Sequence, residues 1–213
     1  MDLLPSIASA SQIELGEEIR RLKNWPFLHI DIEDGNFLPN ITFGMKTVKA
    51  IAAAAEGKIL DAHLLVTNPM DYLEPMAELG VQKICAHIEA LPYPLQFLNR
   101  ARQLGMKAGL ALNMATPVSH LDPFYPAMDF ALLMTAEPDS QGDQLYPPAL
   151  DRAIRLAEER GREIEIFADG GLNEAALQRL ARAGAAAAVL GRLAFGANQP
   201  FWTLSELQAL IQQ

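Results

Sequence analysis

The sequence has few of the features that mark secreted, membrane or nucleic-acid-binding proteins. Its one cysteine, Cys85, has no second cysteine for an internal disulfide, which favours a reducing compartment. The N-terminus carries no basic segment followed by an apolar one, and no apolar run reaches the roughly 20 residues of a membrane span. Acidic residues outnumber basic ones by 26 to 17, a net charge of −9, which argues against nucleic acid. We therefore expect a cytoplasmic protein that binds neither membranes nor nucleic acid.

The chain does contain enough apolar material for one substantial folded unit. Hydrophobic residues make up 50% of the 213 residues and charged residues 20%, which is ordinary for a globular protein. A chain of this length buries a sizeable core without disulfides or structural metals. No linker or shift in composition divides it, so residues 1–213 are predicted to form a single domain.

Short apolar runs alternate with longer amphipathic stretches, which is the pattern of βα units. Eight runs are predicted as strands: 4–8, 27–32, 59–64, 82–88, 107–112, 129–134, 163–168 and 186–190. Ser11, Asn68 and Asn173 are candidate N-terminal caps for the helices between them. Eight such units in about 200 residues favour a compact (β/α)8 TIM barrel. A doubly wound open sheet is the alternative, but residues 8–11 read ASAS, without the glycine-rich first turn of that fold.

A barrel of this kind carries its chemistry at the C-terminal ends of its strands. Polar residues on one strand face end the second, third and seventh predicted strands: His29, Asp31 and Glu33, then Asp61 and His63, then Asp169. Each has an ordinary explanation when taken alone. A histidine at a strand end is more often a hydrogen-bonded core residue than a ligand, and an Asp before two glycines is a common turn residue.

The conjunction of these residues favours a metal site. Buried carboxylates cost several kcal/mol unless they are paired or bound to metal. Two imidazoles, from His29 and His63, and two carboxylates, from Asp31 and Asp169, suit Zn²⁺, Fe²⁺, Mn²⁺ or Co²⁺. His87, at the end of the fourth predicted strand, is either a wall of the same pocket or a packed structural histidine.

Seven short motifs are spread along the chain. They read LPSIAS at 4–9, HIDIEDGNFLPNITFG at 29–44, DAHL at 61–64, LNMATP at 112–117, LMT at 133–135, ADGG at 168–171 and LGRLAF at 190–195. Together they resemble the ribulose-phosphate 3-epimerase family of ketose-phosphate epimerases over nearly the whole chain. The segments IED at 32–34 and EPD at 137–139 are similar to those of a divergent branch from bacterial sugar-uptake gene clusters.

The resemblance implies a TIM barrel of the ribulose-phosphate-binding type that inverts C3 of a ketose phosphate through an enediolate. Asp31 and Asp169 would be the acid and base, and with His29 and His63 they would hold the divalent cation, with no organic cofactor. It also implies a homo-oligomer, a dimer or a hexamer. Expected contacts with the sugar phosphate fall on these residues: Ser6, His63, Met134, Gly142, Gly170, Gly171 and Gly191.

Two departures from the family pattern concern the substrate. Glu33 stands where members usually carry methionine, and residues 137–143 read EPDSQGD where the family has NPGFGGQ. Fewer glycines and added carboxylates weaken an anion site in that loop. Arg192, directly after Gly191, is the candidate that compensates by binding phosphate bidentately. A surface ion pair is the alternative explanation for this arginine.

Several functions are compatible with these residues. The first is a 3-epimerase of D-ribulose 5-phosphate, and the second a 3-epimerase of another ketose phosphate, such as allulose 6-phosphate. A non-catalytic sugar-phosphate binding protein has no need of both Asp31 and Asp169. A metal-dependent aldolase or hydrolase also fits the same fold, because fold alone does not determine chemistry.

Overall fold

The computed structural model describes residues 1–137, 144–195 and 200–212. Eight parallel strands follow one another around a nearly closed barrel. They are β1 (Asp2–Pro5), β2 (Phe27–Glu33), β3 (Ile59–Leu65), β4 (Lys83–His87), β5 (Lys107–Leu112), β6 (Phe130–Met134), β7 (Glu165–Asp169) and β8 (Ala187–Leu190). β1 pairs with β8, Asp2 opposite Ala187, and a bridge between Ser6 and His29 joins the end of β1 to β2. The predicted TIM barrel is confirmed.

Eight α-helices lie around the barrel in the described ranges; the first six connect consecutive strands and the last two follow β8. They are α1 (Leu15–Arg21), α2 (Met45–Ala54), α3 (Leu73–Glu78), α4 (Pro94–Gln103), α5 (Pro147–Arg160), α6 (Glu174–Arg182), α7 (Arg192–Phe195) and α8 (Pro200–Ile211). The connection between β5 and β6 lies wholly within the described residues. It contains a 3₁₀ segment, Val118–Ala127, and no α-helix. Pro123 and Pro126 lie inside it, and their missing N–H groups explain why an α-helix does not form. No helix in the described ranges is long and apolar enough to cross a membrane.

The first strand differs most from its predicted position. The sequence predicts a strand at 4–8, but the structure has it at Asp2–Pro5, and a 3₁₀ turn, Ile7–Ser9, follows. Amides in this segment bond locally, Ser9 N to the carbonyl of Ser6 at 3.1 Å, instead of continuing the ladder. The chain therefore turns inward directly after Ser6, which places that side chain at the mouth of the barrel.

One of the three predicted helix caps is present. Oδ1 of Asn173 accepts a hydrogen bond from the amide of Ala176 at 2.9 Å and caps α6. Ser11 does not cap α1, because that helix begins at Leu15, four residues later, and its N-cap is Glu14. Asn68 precedes a 3₁₀ turn, and its side chain makes no capping hydrogen bond.

The barrel interior is filled from its N-terminal end, where the strands begin. Glu165 accepts hydrogen bonds from Lys83 and Lys107 at 2.8 and 2.7 Å and closes that end. Above this clamp, Phe130 and Phe167 stack with ring centroids 4.7 Å apart. A Cβ at Gly109 would lie 2.5 Å from the Phe130 ring, so this position needs glycine. Because the lower barrel is packed, the polar side chains gather at the opposite end.

Candidate metal centre and active site

Four side chains converge at the C-terminal end of the barrel. His29 and Asp31 come from β2, His63 from β3 and Asp169 from the end of β7, and one potential ligand atom of each lies within 4.8 Å of the others. Oδ1 of Asp31 lies 3.1 Å from both Nε2 of His29 and Nδ1 of His63. Nδ1 of His63 also lies 3.4 Å from Oδ2 of Asp169. The structure thus brings together the four residues that the sequence singled out as candidate ligands.

The carboxylates control the charge of the two buried histidines. Burial acts to lower the pKa of His29, but Asp31 and Asp61 outweigh it and raise that pKa well above its usual value. Burial also acts to lower the pKa of His63, but hydrogen bonds to Asp169 and Asp31 outweigh it and raise that pKa above its usual value. Conversely, burial acts to raise the pKa of Asp31, yet the two imidazoles hold it well below its ordinary range. The cluster therefore attracts positive charge to its centre.

The donor set and its surroundings fit a divalent cation. Imidazole nitrogen and carboxylate oxygen are the ligands of Zn²⁺ and neighbouring divalent metals. The ring nitrogens that face away from the centre both meet polar groups: Nδ1 of His29 lies 3.4 Å from Oδ2 of Asp61, and Nε2 of His63 lies 2.9 Å from Nε2 of His87. Metal-ligating histidines are usually held by such outer partners. This arrangement leaves Nε2 of His29 and Nδ1 of His63 directed at the centre.

A pocket of about 380 Å³ opens onto this candidate metal centre. The carboxylates of Asp31 and Asp169 reach it from β2 and β7, strands separated by β8 and β1. Further residues expected from the sequence line the same pocket: Ser6, Met134, Gly170, Gly171, Gly191 and Arg192. His63 does not line it but is fully buried behind the wall. Gly142 lies outside the described residues.

The turn after β7 fixes the direction of Asp169. Gly170 and Gly171 have positive φ angles of 112° and 62°, and a Cβ at Gly170 would lie 2.7 Å from the amide nitrogen of Ala136. The hydroxyl of Thr135 donates to the carbonyls of Asp169 and Gly170 at 2.9 and 2.6 Å. Glycine is therefore required for the close approach of this turn to β6.

The loop after β2 folds back onto its own strand and supplies a polar wall. Thr42 Oγ1 donates to the carbonyl of Asp31 at 2.7 Å and accepts the amide of Glu33 at 3.0 Å. Oε2 of Glu33 accepts a hydrogen bond from Nδ2 of Asn40 at 2.7 Å, and both residues line the pocket. On the other side of Asp31, the hydroxyl of Ser6 donates to Oδ2. Position 33, where the family usually has methionine, is therefore part of a hydrogen-bonded pocket wall.

His87 is a packed, buried histidine and does not form a wall of the pocket. The side chain is fully buried, lies next to the ring of Phe37 at 4.9 Å between centroids, and does not line the pocket. Sequence reasoning gave no role to Asp61, Glu89 or Asn40. Asp61 lies two residues before His63, and Glu89 lies two residues after His87. This spacing is a signal that points to both acidic residues. Asn40 carried none, because its position depends on how the loop folds back.

Comparison with known proteins agrees with this geometry. Residues 2–195 match the profile of the Ribulose-phosphate 3 epimerase family. The chain is 39% identical over 202 residues to ribulose-phosphate 3-epimerase from Synechocystis sp., covering 91% of this chain and 86% of that one. It is 32% identical over 210 residues to ribulose-phosphate 3-epimerase from Bacillus subtilis, covering 96% of each.

A more distant solved structure shares the fold alone. It is 3-hexulose-6-phosphate synthase from Salmonella typhimurium, with a TM-score of 0.75 and 15% identity, covering 100% of this chain and 99% of that one. The family profile covers nearly the whole chain, and the barrel of this chain has a His/Asp group at its mouth. This chain therefore belongs to the ribulose-phosphate 3-epimerase family.

Proposed function

We propose that this chain is a metal-dependent epimerase that inverts C3 of a ketose phosphate of the D-ribulose 5-phosphate and D-xylulose 5-phosphate type. The observation that carries the proposal is the pair of carboxylates, Asp31 and Asp169, which reach one pocket beside two buried histidines. The names of the relatives support the substrate class, since the two described above are ribulose-phosphate 3-epimerases.

The two carboxylates provide the proton transfers. Inversion next to a carbonyl removes a proton from one face of C3 and returns a proton to the other face. One carboxylate accepts the C3 proton to give the enediolate, and the other, as the carboxylic acid, donates to the opposite face. The Ser6 hydroxyl holds Oδ2 of Asp31, which leaves Oδ1 turned towards the imidazoles. Asp31 is thereby oriented before substrate binds.

A divalent cation held by His29, Asp31, His63 and Asp169 would stabilise negative charge on the substrate oxygens as the proton leaves. Zn²⁺, Fe²⁺, Mn²⁺ and Co²⁺ all suit this donor set. The reaction needs an acid, a base and an electrophile, so the proposal includes no organic cofactor.

The phosphate end of the substrate is assigned to the rim formed after β7 and β8. Gly170, Gly171 and Gly191 bring backbone close to the pocket there, and Arg192 lines it beside them. A guanidinium binds phosphate bidentately, which offsets the acidic character of the rest of the chain. Met134 contributes an apolar wall.

A longer ketose phosphate, such as allulose 6-phosphate, is a second candidate substrate. The hydrogen-bonded pair Glu33 and Asn40 on the pocket wall favours it, because a polar wall can bond an additional hydroxyl that an apolar one would leave unpaired.

Exchange of the C3 proton with solvent tests the function directly. The metal-loaded chain is incubated in D₂O with a panel of ketose phosphates, and NMR follows deuterium at C3 and the appearance of the epimer. We expect exchange and inversion with at least one ketose phosphate, and loss of both after treatment with a chelator. His63→Ala serves as the matched variant, with reduced metal content and reduced turnover.

Other outcomes exclude the proposal. Binding without exchange would identify a sugar-phosphate binding protein, and cleavage products would identify an aldolase or a hydrolase. Full activity in metal-free protein and in His63→Ala would remove the metal centre from the mechanism.

A further inference from the structure

Behind the candidate metal centre, His63 begins a hydrogen-bonded series whose other two members, His87 and Glu89, have no part in the proposed chemistry. Nε2 of His63 lies 2.9 Å from Nε2 of His87, and Nδ1 of His87 lies 3.3 Å from Oε2 of Glu89. The two imidazoles are fully buried, with ring centroids 4.9 Å apart and ring planes inclined by 24°. The carboxylate of Glu89, whose side chain is 24% exposed, ends the series at the rim of the barrel.

Only one arrangement of protons satisfies this series while leaving Nδ1 of His63 free for a ligand. Glu89 acts as an acceptor, since Oε1 also takes the amide of Asn113 at 2.9 Å. His87 must then carry its proton on Nδ1, which makes its Nε2 an acceptor. His63 in turn carries its proton on Nε2 and donates it to His87. A lone pair on Nδ1 of His63 therefore faces the centre.

The charge of Glu89 agrees with this arrangement. Burial acts to raise the pKa of Glu89, but hydrogen bonds from His87 and Thr116 lower it to about 2, so the group is a carboxylate. A carboxylate has no proton to donate, so it accepts from Nδ1 of His87.

We propose that Glu89 is a positioning residue for the metal centre, which acts through His87 to hold His63 in the tautomer and ring orientation that present Nδ1 to a divalent cation. Loss of a group that hydrogen-bonds to a metal-ligating histidine typically lowers metal affinity by about 10- to 100-fold. The inference rests on the proposed function only for the presence of the cation.

Glu89 is itself held in place from the β5 side. Besides the amide of Asn113, the hydroxyl of Thr116 donates to Oε1. Nη1 of Arg152 then donates to the carbonyls of Asn113 and Thr116 at 3.2 and 2.8 Å. This second set of contacts raises the competing explanation that Glu89 serves only to order the loop after β5.

Metal affinity separates the two explanations. Zn²⁺ affinity of the metal-free chain is measured by competition with a chromophoric chelator, and the visible spectrum of bound Co²⁺ reports the geometry at the metal. The donors from His87 and Asn113 bind different oxygens of Glu89. Glutamine replaces one of these oxygens with an NH2 group, which donates, so it cannot keep both bonds in this geometry. We therefore expect Glu89→Gln to bind Zn²⁺ about 10- to 100-fold more weakly and to alter the Co²⁺ spectrum.

Two matched variants control for the loop and for the charge. Thr116→Val removes the other side-chain bond to Glu89 but keeps the carboxylate. Glu163→Gln makes the same change at an exposed residue paired with Arg160. Both should bind Zn²⁺ within about twofold of the wild type.

A double variant tests whether Glu89 acts through His87. In a His87→Phe background the series is already broken, so adding Glu89→Gln should change affinity by less than about twofold. His87→Gln keeps an acceptor for His63 and should retain more affinity than His87→Phe, which also guards against misfolding of the phenylalanine variant.

The inference is overturned if Glu89→Gln binds Zn²⁺ as the wild type does, if Thr116→Val loses as much affinity, or if the two changes are additive. A wild-type chain that binds neither Zn²⁺ nor Co²⁺ would remove the metal centre of the proposed function and this inference with it. A wild-type chain that binds both, with unaffected Glu89 variants, would leave the proposed function standing alone.

Discussion

Nδ1 of His29 lies 3.4 Å from Oδ2 of Asp61, a carboxylate with 1% of its surface exposed. Neither oxygen of Asp61 has a hydrogen-bond partner among the described residues, so the imidazole of His29 is the contact on which its buried charge depends. A cation at the centre would fix the proton of His29 on Nδ1, the atom that faces Asp61.

Asp61→Asn should weaken Zn²⁺ binding by about tenfold or more, because the partner of His29 loses its charge while its shape is kept. Chelator competition measures the change. Asp71→Asn, at an exposed position, is the control and should bind as the wild type does. Equal affinities of the two variants would mean that Asp61 gives no support to the metal centre.

Asp169→Asn should reduce epimerisation by about 10²-fold or more, since one of the two proton transfers loses its carboxylate. Asp31→Asn should behave in the same way. Metal content must be measured for each variant, because both aspartates are also candidate ligands. Exchange of the C3 proton in one epimer should survive, and wild-type turnover by fully loaded Asp169→Asn would contradict the two-carboxylate mechanism.

Arg192→Ala should raise KM for the phosphorylated ketose at least about tenfold, or about 1.4 kcal/mol, with a smaller change in kcat. The reason is the loss of a bidentate partner for phosphate at the pocket rim. Arg182→Ala, at an exposed position in the last turn of α6, is the matched control. If KM does not move, or if unphosphorylated sugars are preferred, the phosphate assignment is wrong.

Glu33→Met should raise KM for the preferred ketose phosphate by about tenfold, because the amide of Asn40 loses its acceptor and the wall becomes apolar. The effect on kcat should be smaller, since Asp31 and Asp169 are unchanged. Glu33→Gln keeps a carbonyl for Asn40 and should retain more of the substrate affinity. Steady-state kinetics with all three forms decides whether this wall contacts the substrate.

Asp34→Asn should lower Tm at pH 7 by about 2–4 °C, because the turn after β2 loses its charged acceptor. Slight burial acts to raise the pKa of Asp34, but hydrogen bonds from Thr67 and from two amides of the turn hold it well below its ordinary value.

The pH dependence of this effect follows from that direction. A folded pKa below the unfolded one gives stability that is present above about pH 4 and is lost as pH falls further. Thermal unfolding from pH 7 to about pH 3 should therefore show the wild type and Asp34→Asn converging at acid pH. A difference that stays constant with pH would show that the charge of Asp34 contributes nothing.

Much of the fold could be predicted because barrel strands are buried on both faces and leave clear apolar runs. The first strand differs because Ile7 and Ala8 are apolar, as in a strand, but belong to a turn with local hydrogen bonds. The candidate ligands were accessible because strand alternation fixes which side chains share a face. Asn40 was not, since its contact with Glu33 requires a loop to fold back. The cytoplasmic location, the single domain and the homo-oligomer stay predictions.

The barrel closes at the same place as the site. At the C-terminal ends of their strands, Pro5 pairs with Leu190, and Ser6 bridges to His29, one of the candidate ligands. During synthesis, the first part of the site therefore waits for the last strands, and such distant pairing is slow to form. A cation held by ligands from β2, β3 and β7 would need all three strands in place and would stabilise the folded barrel by mass action. A nascent chain in which β7 has not been made lacks Asp169, and with it one of the two carboxylates and one of the four candidate ligands.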